Sequence, residues 1–265
     1  MDQVSPFDSM ARDYDDSFTS STIGKLMRAA TWRRFDTLFR PGDRVLELNC
    51  GTGEDAAQLG RRGVRVLATD ASDEMVAVAR AKVACSGLSE VVEVATLRIE
   101  GLAQLRTAGP FDGAFSNFGG LNCVEDLPAV ARGLAAVLRQ GARAALCVMG
   151  PTVPWEWGWH LARGEPRKAF RRLRTSGTPW RGLTIRYPRI ANVRRAFAPY
   201  FQQTRVSAVG ALVPPSYAFE WGSRHPRLLA ALDRWERRFE TMPPLPWLAD
   251  HYLIEMERID APHPT

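Results

Sequence analysis

Val45-Leu46-Glu47-Leu48-Asn49-Cys50-Gly51-Thr52-Gly53 is a short, almost wholly apolar strand that runs straight into a glycine-spaced turn. Such a strand lacks the alternation of a half-exposed sheet, so the pattern predicts a strand covered on both faces. A helical stretch, Glu54 to Arg62, follows at once and is ended by Gly63. Strand, glycine turn and helix in this order aim backbone N–H groups and a helix N-terminus at whatever lies above the strand.

The same rhythm extends outward. Upstream, Thr22 to Phe39 sets Ile23, Leu26, Met27, Ala30, Phe35 and Leu38 at helical spacing before Pro41-Gly42. Downstream come a strand at Val64 to Asp70 and a helix N-capped by Ser72, with Asp73 and Glu74 in its first turn and Gly87 at its end. Further strands are predicted at Val91 to Leu97, Phe111 to Asn117 and Ala142 to Met149, with a helix from Glu125 to Arg139 closed by Gly141. Five such units imply an α/β, doubly wound, mostly parallel sheet.

Beyond Met149 the alternation stops. Residues 151–190 and 214–249 are rich in Trp, Arg, Pro and Gly, the second holding a helix from Pro226 to Glu240. Between and after them lie a helix at Ala191 to Tyr200, a strand at Gln203 to Val213 and a last strand at His251 to Ile259, which fit an antiparallel pair finishing the sheet. The expected organisation is one domain over 1–265. It has a helical cover at 1–40, a core at 43–150, lid insertions at 151–190 and 214–249, and closing elements at 191–213 and 250–260.

A chain of 265 residues with 45% hydrophobic and 24% charged residues has the composition of a globular protein. No apolar run is long enough for a membrane span, and Met1 to Pro6 lacks a signal-peptide pattern. Cys50, Cys85, Cys123 and Cys147 show neither metal-ligand spacing nor a paired framework, so reduced thiols in a cytoplasmic protein are expected. The net charge of +6 is uneven: residues 1–150 carry 17 Lys and Arg against 19 Asp and Glu, whereas 151–265 carry 18 against 10. Seven of the eight tryptophans also lie in the second part, which sets it apart from the first.

Gly51-Thr52-Gly53-Glu54-Asp55-Ala56 satisfies a loose dinucleotide pattern, but Glu47 speaks against a pyrophosphate over this turn. A carboxylate at the strand end repels phosphate and attracts the ammonium and sulfonium of S-adenosylmethionine (SAM). Asp70, ending the second strand, is placed to accept from both ribose hydroxyls of an adenosine.

On these residues the chain resembles the class I SAM-dependent methyltransferases of small-molecule type. The resemblance covers Glu47 to Gly53, Thr69-Asp70-Ala71-Ser72, Phe111 to Gly119 and the opening Phe7 to Asp15. It implies a seven-stranded sheet in the order 3-2-1-4-5-7-6 with the last strand antiparallel, and a cofactor over strands 1, 2 and 4. It further implies that Glu47, Asn49, Cys50, Gly51 and Gly53 surround the methionine moiety and that Asp70 takes the ribose. Ala71, Met75, Arg98 and Ile99 would lie toward the adenine, Asn117, Phe118 and Asn122 near the sulfonium, and Tyr14 over the cofactor. Two positions depart from the family pattern: Asn49 stands where a glycine is frequent, and Arg98 where an acid is usual.

The acceptor must lie outside the carboxyl ends of the strands, under the insertions. Trp155, Trp157, Trp159 and Trp180 suit a lid over an apolar or aromatic small molecule, while the arginines leave contact with an anion or a membrane surface open. A nucleic-acid acceptor is the weaker alternative, because Ser116-Asn117-Phe118-Gly119 is not the Asn-Pro-Pro-aromatic signature of base methylation. A non-catalytic protein binding SAM or S-adenosylhomocysteine (SAH) is a second alternative. Should a base be needed, His251 and Tyr217 are the candidates, ahead of His160 and His225.

Overall fold

The computed structural model describes residues 6–11, 14–15 and 19–260, with the backbone alone for Phe219. Met1 to Ser5, and Arg12 and Asp13 of the opening motif, lie outside the described residues.

The strand ending in the glycine turn is β1 (Arg44–Leu48), flanked by α1 (Thr22–Leu38) and α2 (Glu54–Arg61). Then follow β2 (Arg65–Asp70), α3 (Asp73–Cys85), β3 (Val92–Thr96), a 3-10 segment at Ile99–Thr107, β4 (Phe111–Ser116), α4 (Leu127–Val137) and β5 (Leu138–Met149). The sheet runs β3-β2-β1-β4-β5-β9-β8, with β8 at Phe201–Val209 and β9 at His251–Arg258. Its first five strands are parallel, while β9 is antiparallel to both β5 and β8. Counted within this sheet, that is the expected order 3-2-1-4-5-7-6.

Successive residues of the strands point to opposite faces, and each face feeds its own core. Val45, Phe115, Ala145 and Leu253 pack toward α1, α2 and α3, where the rings of Phe35 and Phe115 stand 4.7 Å apart. Leu46, Ala114, Leu146 and Ile254 pack on the other side, toward α4, the 3-10 segment and α7 (Ile190–Phe197). Gly113 is required by close approach, since a Cβ there would lie 2.5 Å from the Phe39 ring and 2.9 Å from the Arg143 carbonyl. The strand ends above β1, β2 and β4 are thereby held on a rigid platform.

Several boundaries differ from the sequence pattern. Helix α4 begins after Asp126, whose side chain accepts from Ala129 N, and stops at Val137 because Leu138 pairs with Phe111 in the sheet. Gly141 (φ 71°) therefore sits within β5, near the irregularity in its register with β4, and does not close the helix. Residues 151–190 are more regular than their composition suggested. They form α5 (Pro154–Leu161), α6 (Pro166–Ala169) and a hairpin of β6 (Thr178–Trp180) and β7 (Leu183–Ile185). The remaining helices, α8 (Phe219–Arg224) and α9 (Pro226–Phe239), belong to the second insertion, in which Ala218 and Leu229 join the α1 side of the core. Among the described residues no helix is long and apolar enough to cross a membrane.

Candidate functional site

The turn after β1 takes its shape from three positive φ angles, at Asn49 (58°), Gly51 (53°) and Gly53 (76°). Asparagine is among the few side chains that tolerate this region, which accounts for Asn49 in place of a glycine. Its Oδ1 accepts from the Ser116 hydroxyl at 3.4 Å, tying the turn to the end of β4. At Gly53 a Cβ would lie 2.9 Å from the Cβ of Ala79, so the glycine also lets α2 and α3 meet. Ser72 caps α3 as expected, accepting from Met75 N at 3.1 Å.

Above this turn lies a cavity of about 770 Å³, within the range of small-molecule sites. Eleven of the residues expected to bind cofactor line it: Tyr14, Asn49, Cys50, Gly51, Asp70, Ala71, Met75, Arg98, Ile99, Asn117 and Phe118. Asp70 accepts from Gly51 N at 2.8 Å and from Ser72 N at 2.9 Å, so its carboxylate braces the turn. Burial pushes its pKa up against the pull of those amides. Burial also raises the Tyr14 phenol, Arg28 opposing and Asp55 reinforcing the shift.

Three expected cofactor residues do not line the cavity. Gly53 shapes the turn from below, and Glu47 lies one layer behind it, buried, with its Oε2 lacking a hydrogen-bond partner. Asn122 is consumed structurally: its amide donates to the carbonyls of Met149 (3.1 Å) and Arg186, and its Oδ1 accepts from Met149 N (2.9 Å). It joins β5 to the β6–β7 hairpin segment, and both of its amide N–H groups are used there.

The candidate bases are displaced as well. His251 is buried, with Nδ1 3.1 Å from Asp250 Oδ2, and reaches the cavity only through Phe118, whose ring meets it edge-on at 5.5 Å. Tyr217 packs against Trp159 and His160, and burial raises its pKa, with Glu156 and Asp250 adding to the shift. His160 is paired with Glu165 and His225 is stacked on Trp221. None of the four is among the described lining residues. Cys123 does line the cavity, but burial pushes its thiol up to about 11, so it is protonated at neutral pH.

A buried polar network that the sequence pattern did not reveal supports the floor. Asp55, on the first turn of α2, pairs with Arg28 at 2.7 Å and accepts from Trp32 Nε1 at 2.6 Å and Asn117 Nδ2 at 3.1 Å. The Asn117 amide also donates to Thr31 Oγ1 at 3.1 Å, so its orientation is fixed and its Oδ1 is left buried without a partner. Nearby, Lys82 joins Asp15 (2.7 Å) to Glu54 (2.9 Å), pinning the N-terminal segment over the turn. The signal in the sequence was Arg28 and Thr31 on the face of α1 that also carries Ile23, Met27 and Phe35.

This floor suits a cation. Asn117 Oδ1 is an orphaned acceptor, Glu54, Asp55 and Asp70 line the cavity, Arg28 beside them is already paired with Asp55, and Glu47 adds a buried acid behind the floor. The ammonium and sulfonium of SAM fit such a donor-poor, acid-rich end, whereas a pyrophosphate would be repelled.

Burial pushes the Glu47 carboxyl well above its ordinary 4.5, with the charges of Asp55 and Asp70 adding and Arg28 opposing. A carboxyl whose pKa is raised by folding stabilises the fold below its unfolded pKa and loses that contribution as pH rises through the folded value. Glu47→Gln removes the penalty, so the ligand-free variant should melt higher than the parent at pH 7–8 and equal to it near pH 4. Melting curves across that window check the sign, and an unchanged pH dependence would sink this account of Glu47.

The other end of the cavity is built by Met149, Val124 and the first insertion, with Trp180, Leu183, Ile185 and Tyr187 on its wall. None of residues 214–249 lines it among the described residues, so the second insertion braces α1 and α5 from outside, as in the Trp155–Trp221 contact at 5.8 Å.

Residues 45–141 match the family model described as a methyltransferase domain. The chain is 31% identical over 148 residues to demethylmenaquinone methyltransferase of Symbiobacterium thermophilum, covering 52% of this chain and 55% of that protein. It is 41% identical over 91 residues to protein-L-isoaspartate O-methyltransferase of Methylorubrum extorquens, covering 34% and 38%. The matches thus span between about a third and three-fifths of these curated relatives' length. Among solved structures, an S-adenosylmethionine-dependent methyltransferase from Mesorhizobium loti superposes with a TM-score of 0.55 at 18% identity, over 88% of this chain and 100% of that one. Geranyl diphosphate C-methyltransferase from Streptomyces coelicolor, solved with geranyl diphosphate and SAH, gives 0.55 at 14% identity, over 88% and 78%. With the sheet order, the glycine turn and the acid at the end of β2 in place, residues 45–141 are a methyltransferase domain set in a sheet of the class I order.

Proposed function

We propose that the protein transfers the methyl group of SAM to a small, largely apolar acceptor, with SAH as the other product. The observation that carries this is one continuous cavity: it runs from the acid-rich turn above β1, β2 and β4 to the aromatic and aliphatic wall of the β6–β7 hairpin. Bound SAM supplies a methyl already activated by its positive sulfur. The chain's own residues orient and enclose it: Asp70 and the turn hold the adenosine end, Asn117 offers an acceptor to the cationic end, and Pro6, Phe7 and Trp180 roof the cavity.

The domain organisation follows from this reading. Residues 43–150 hold the cofactor, 151–190 enclose the acceptor, and 214–249 brace the cover without touching either. No histidine is among the described lining residues, which favours an acceptor atom that needs no imidazole base. A cavity walled by the β6–β7 hairpin and the N-terminal segment favours a small molecule over nucleic acid.

SAM and SAH, each at about a hundred times its Kd, should stabilise the protein by about 2–3 kcal/mol and raise its melting temperature, whereas NAD(H) should not. A thermal-shift series reads this directly. No shift with either SAM or SAH would overturn the proposal, and a shift with NAD(H) alone would reverse it.

A further inference from the structure

The acceptor end of the cavity is not purely apolar. The first insertion gives its wall two cations, Arg171 and Arg181, and no acid among the described residues. The acids that line the cavity, Glu54, Asp55, Asp70 and Glu100, all lie at or just after the ends of β1, β2 and β3, where they outnumber the two arginines of that end, Arg28 and Arg98. The two ends therefore carry opposite charge, and the positive one is where the acceptor must lie.

Each arginine is held by something other than a carboxylate of its own. Arg171 turns its Nε to Glu156 Oε1 at 2.8 Å, but Glu156 divides its carboxylate, with Oε2 2.7 Å from Arg172 Nε. The Arg171 side chain is 33% exposed, against 1% for Glu156, so the pair aims the arginine outward from a buried base. Arg181 donates from Nη1 to the Ser9 hydroxyl at 2.6 Å and lies 5.5 Å from the centre of the Trp180 ring. Neither contact neutralises it, and no carboxylate among the described residues is within ion-pair distance.

Backbone geometry adds an independent sign. Trp180 pairs with Leu183, so Arg181-Gly182 is a two-residue hairpin loop, and both residues have positive φ, 46° and 84°. Such loops favour asparagine or glycine at the first position, and a long side chain there costs the fold. An arginine kept at a strained position beside a ligand cavity marks a functional constraint.

We infer that the acceptor is an apolar or aromatic molecule bearing an anionic head group, held at the cavity mouth by Arg171 and Arg181 while its apolar body lies against Trp180, Leu183 and Ile185. This deepens the methyltransferase proposal and rests on it. The head group is an anchor shared by carboxylates and phosphates, both of which match a guanidinium fork.

Calorimetry with 2-naphthoate, 2-naphthyl phosphate and neutral 2-naphthamide, each with and without saturating SAH, tests the inference. At least one of the two anions should bind about tenfold or more tighter than the amide and weaken with salt, and the stronger of them identifies the head group. Arg181→Asn suits the turn better than arginine, so it should keep or raise the melting temperature while erasing most of the preference. Arg171→Gln should reduce it similarly. Equal binding of amide and anions, binding by none at millimolar concentration, or a preference that survives in the double variant overturns the inference. SAH binding is read in its own arm, so its loss would strike the methyltransferase proposal and leave the anion result to stand by itself.

Discussion

Replacing Arg172 with methionine should destabilise the protein by about 3–5 kcal/mol, the range for breaking a buried ion pair by removing one partner. Its side chain is 7% exposed and bridges Glu156 at 2.7 Å and Asp250 at 2.6 Å, while Nη1 donates to the Asp250 carbonyl at 3.1 Å. Without it, Glu156 retains only Arg171, and Asp250 only His251. For a chain of this size the loss corresponds to a fall of about 6–20 °C in Tm. If the penalty comes from stranded charge, adding Glu156→Gln to Arg172→Met should recover a large part of it. A double variant no better than the single one would show that packing, not charge, was lost.

The same variant should change how the protein responds to acid. Burial works to raise the Asp250 pKa, but the charges of Arg172 and His251 outweigh it and hold the carboxyl below its ordinary 3.8. A carboxyl depressed in the folded state stabilises the fold above its unfolded pKa and loses that contribution as pH falls through the folded value. Removing Arg172 raises the folded value, so the variant should gain less stability than the parent between about pH 2 and 5. Denaturation midpoints at several pH values in that interval would show the two curves converging toward the acid end.

The platform of the fold was legible in the sequence because its signals are local. Positive φ demands glycine or asparagine, so Asn49, Gly51, Gly53 and Gly63 announced their turns. Ser72 announced a cap, and runs such as Val45 to Leu48 announced buried strands. The β6–β7 hairpin was hidden because its loop carries Arg181 where the usual turn chemistry is absent. Strand-end position told which residues approach the cavity, but not where their side chains turn. That depends on α1: Arg28 and Trp32 capture Asp55, Asp55 captures Asn117, and Glu47 is left behind this screen. Asn122 and His251 sit at equally suggestive places, yet one is used by carbonyls of the hairpin segment and the other lies behind Phe118.

Asp55→Ala should produce the other large effect, a destabilisation of about 3–5 kcal/mol together with loss of SAH binding. The substitution takes from Arg28, whose side chain is 7% exposed, its paired carboxylate, removes the acceptor of Trp32 Nε1, and frees the Asn117 amide to turn. Arg28→Met/Asp55→Leu removes both charges and should regain much of the stability, but not the binding, because Asn117 still lacks its second acceptor. Denaturant midpoints and SAH calorimetry on the same samples separate the two outcomes. Glu47 makes the test sharper. It is a buried acid that feels both Asp55, which raises its pKa, and Arg28, which lowers it. With Asp55 gone, Glu47 ionises more readily, and its charge offsets part of that of Arg28. Asp55→Ala should therefore cost more in a Glu47→Gln background than in the parent. A cycle that closes to within about 0.3–0.5 kcal/mol would show the two acids to be independent and would remove the network from beneath the site.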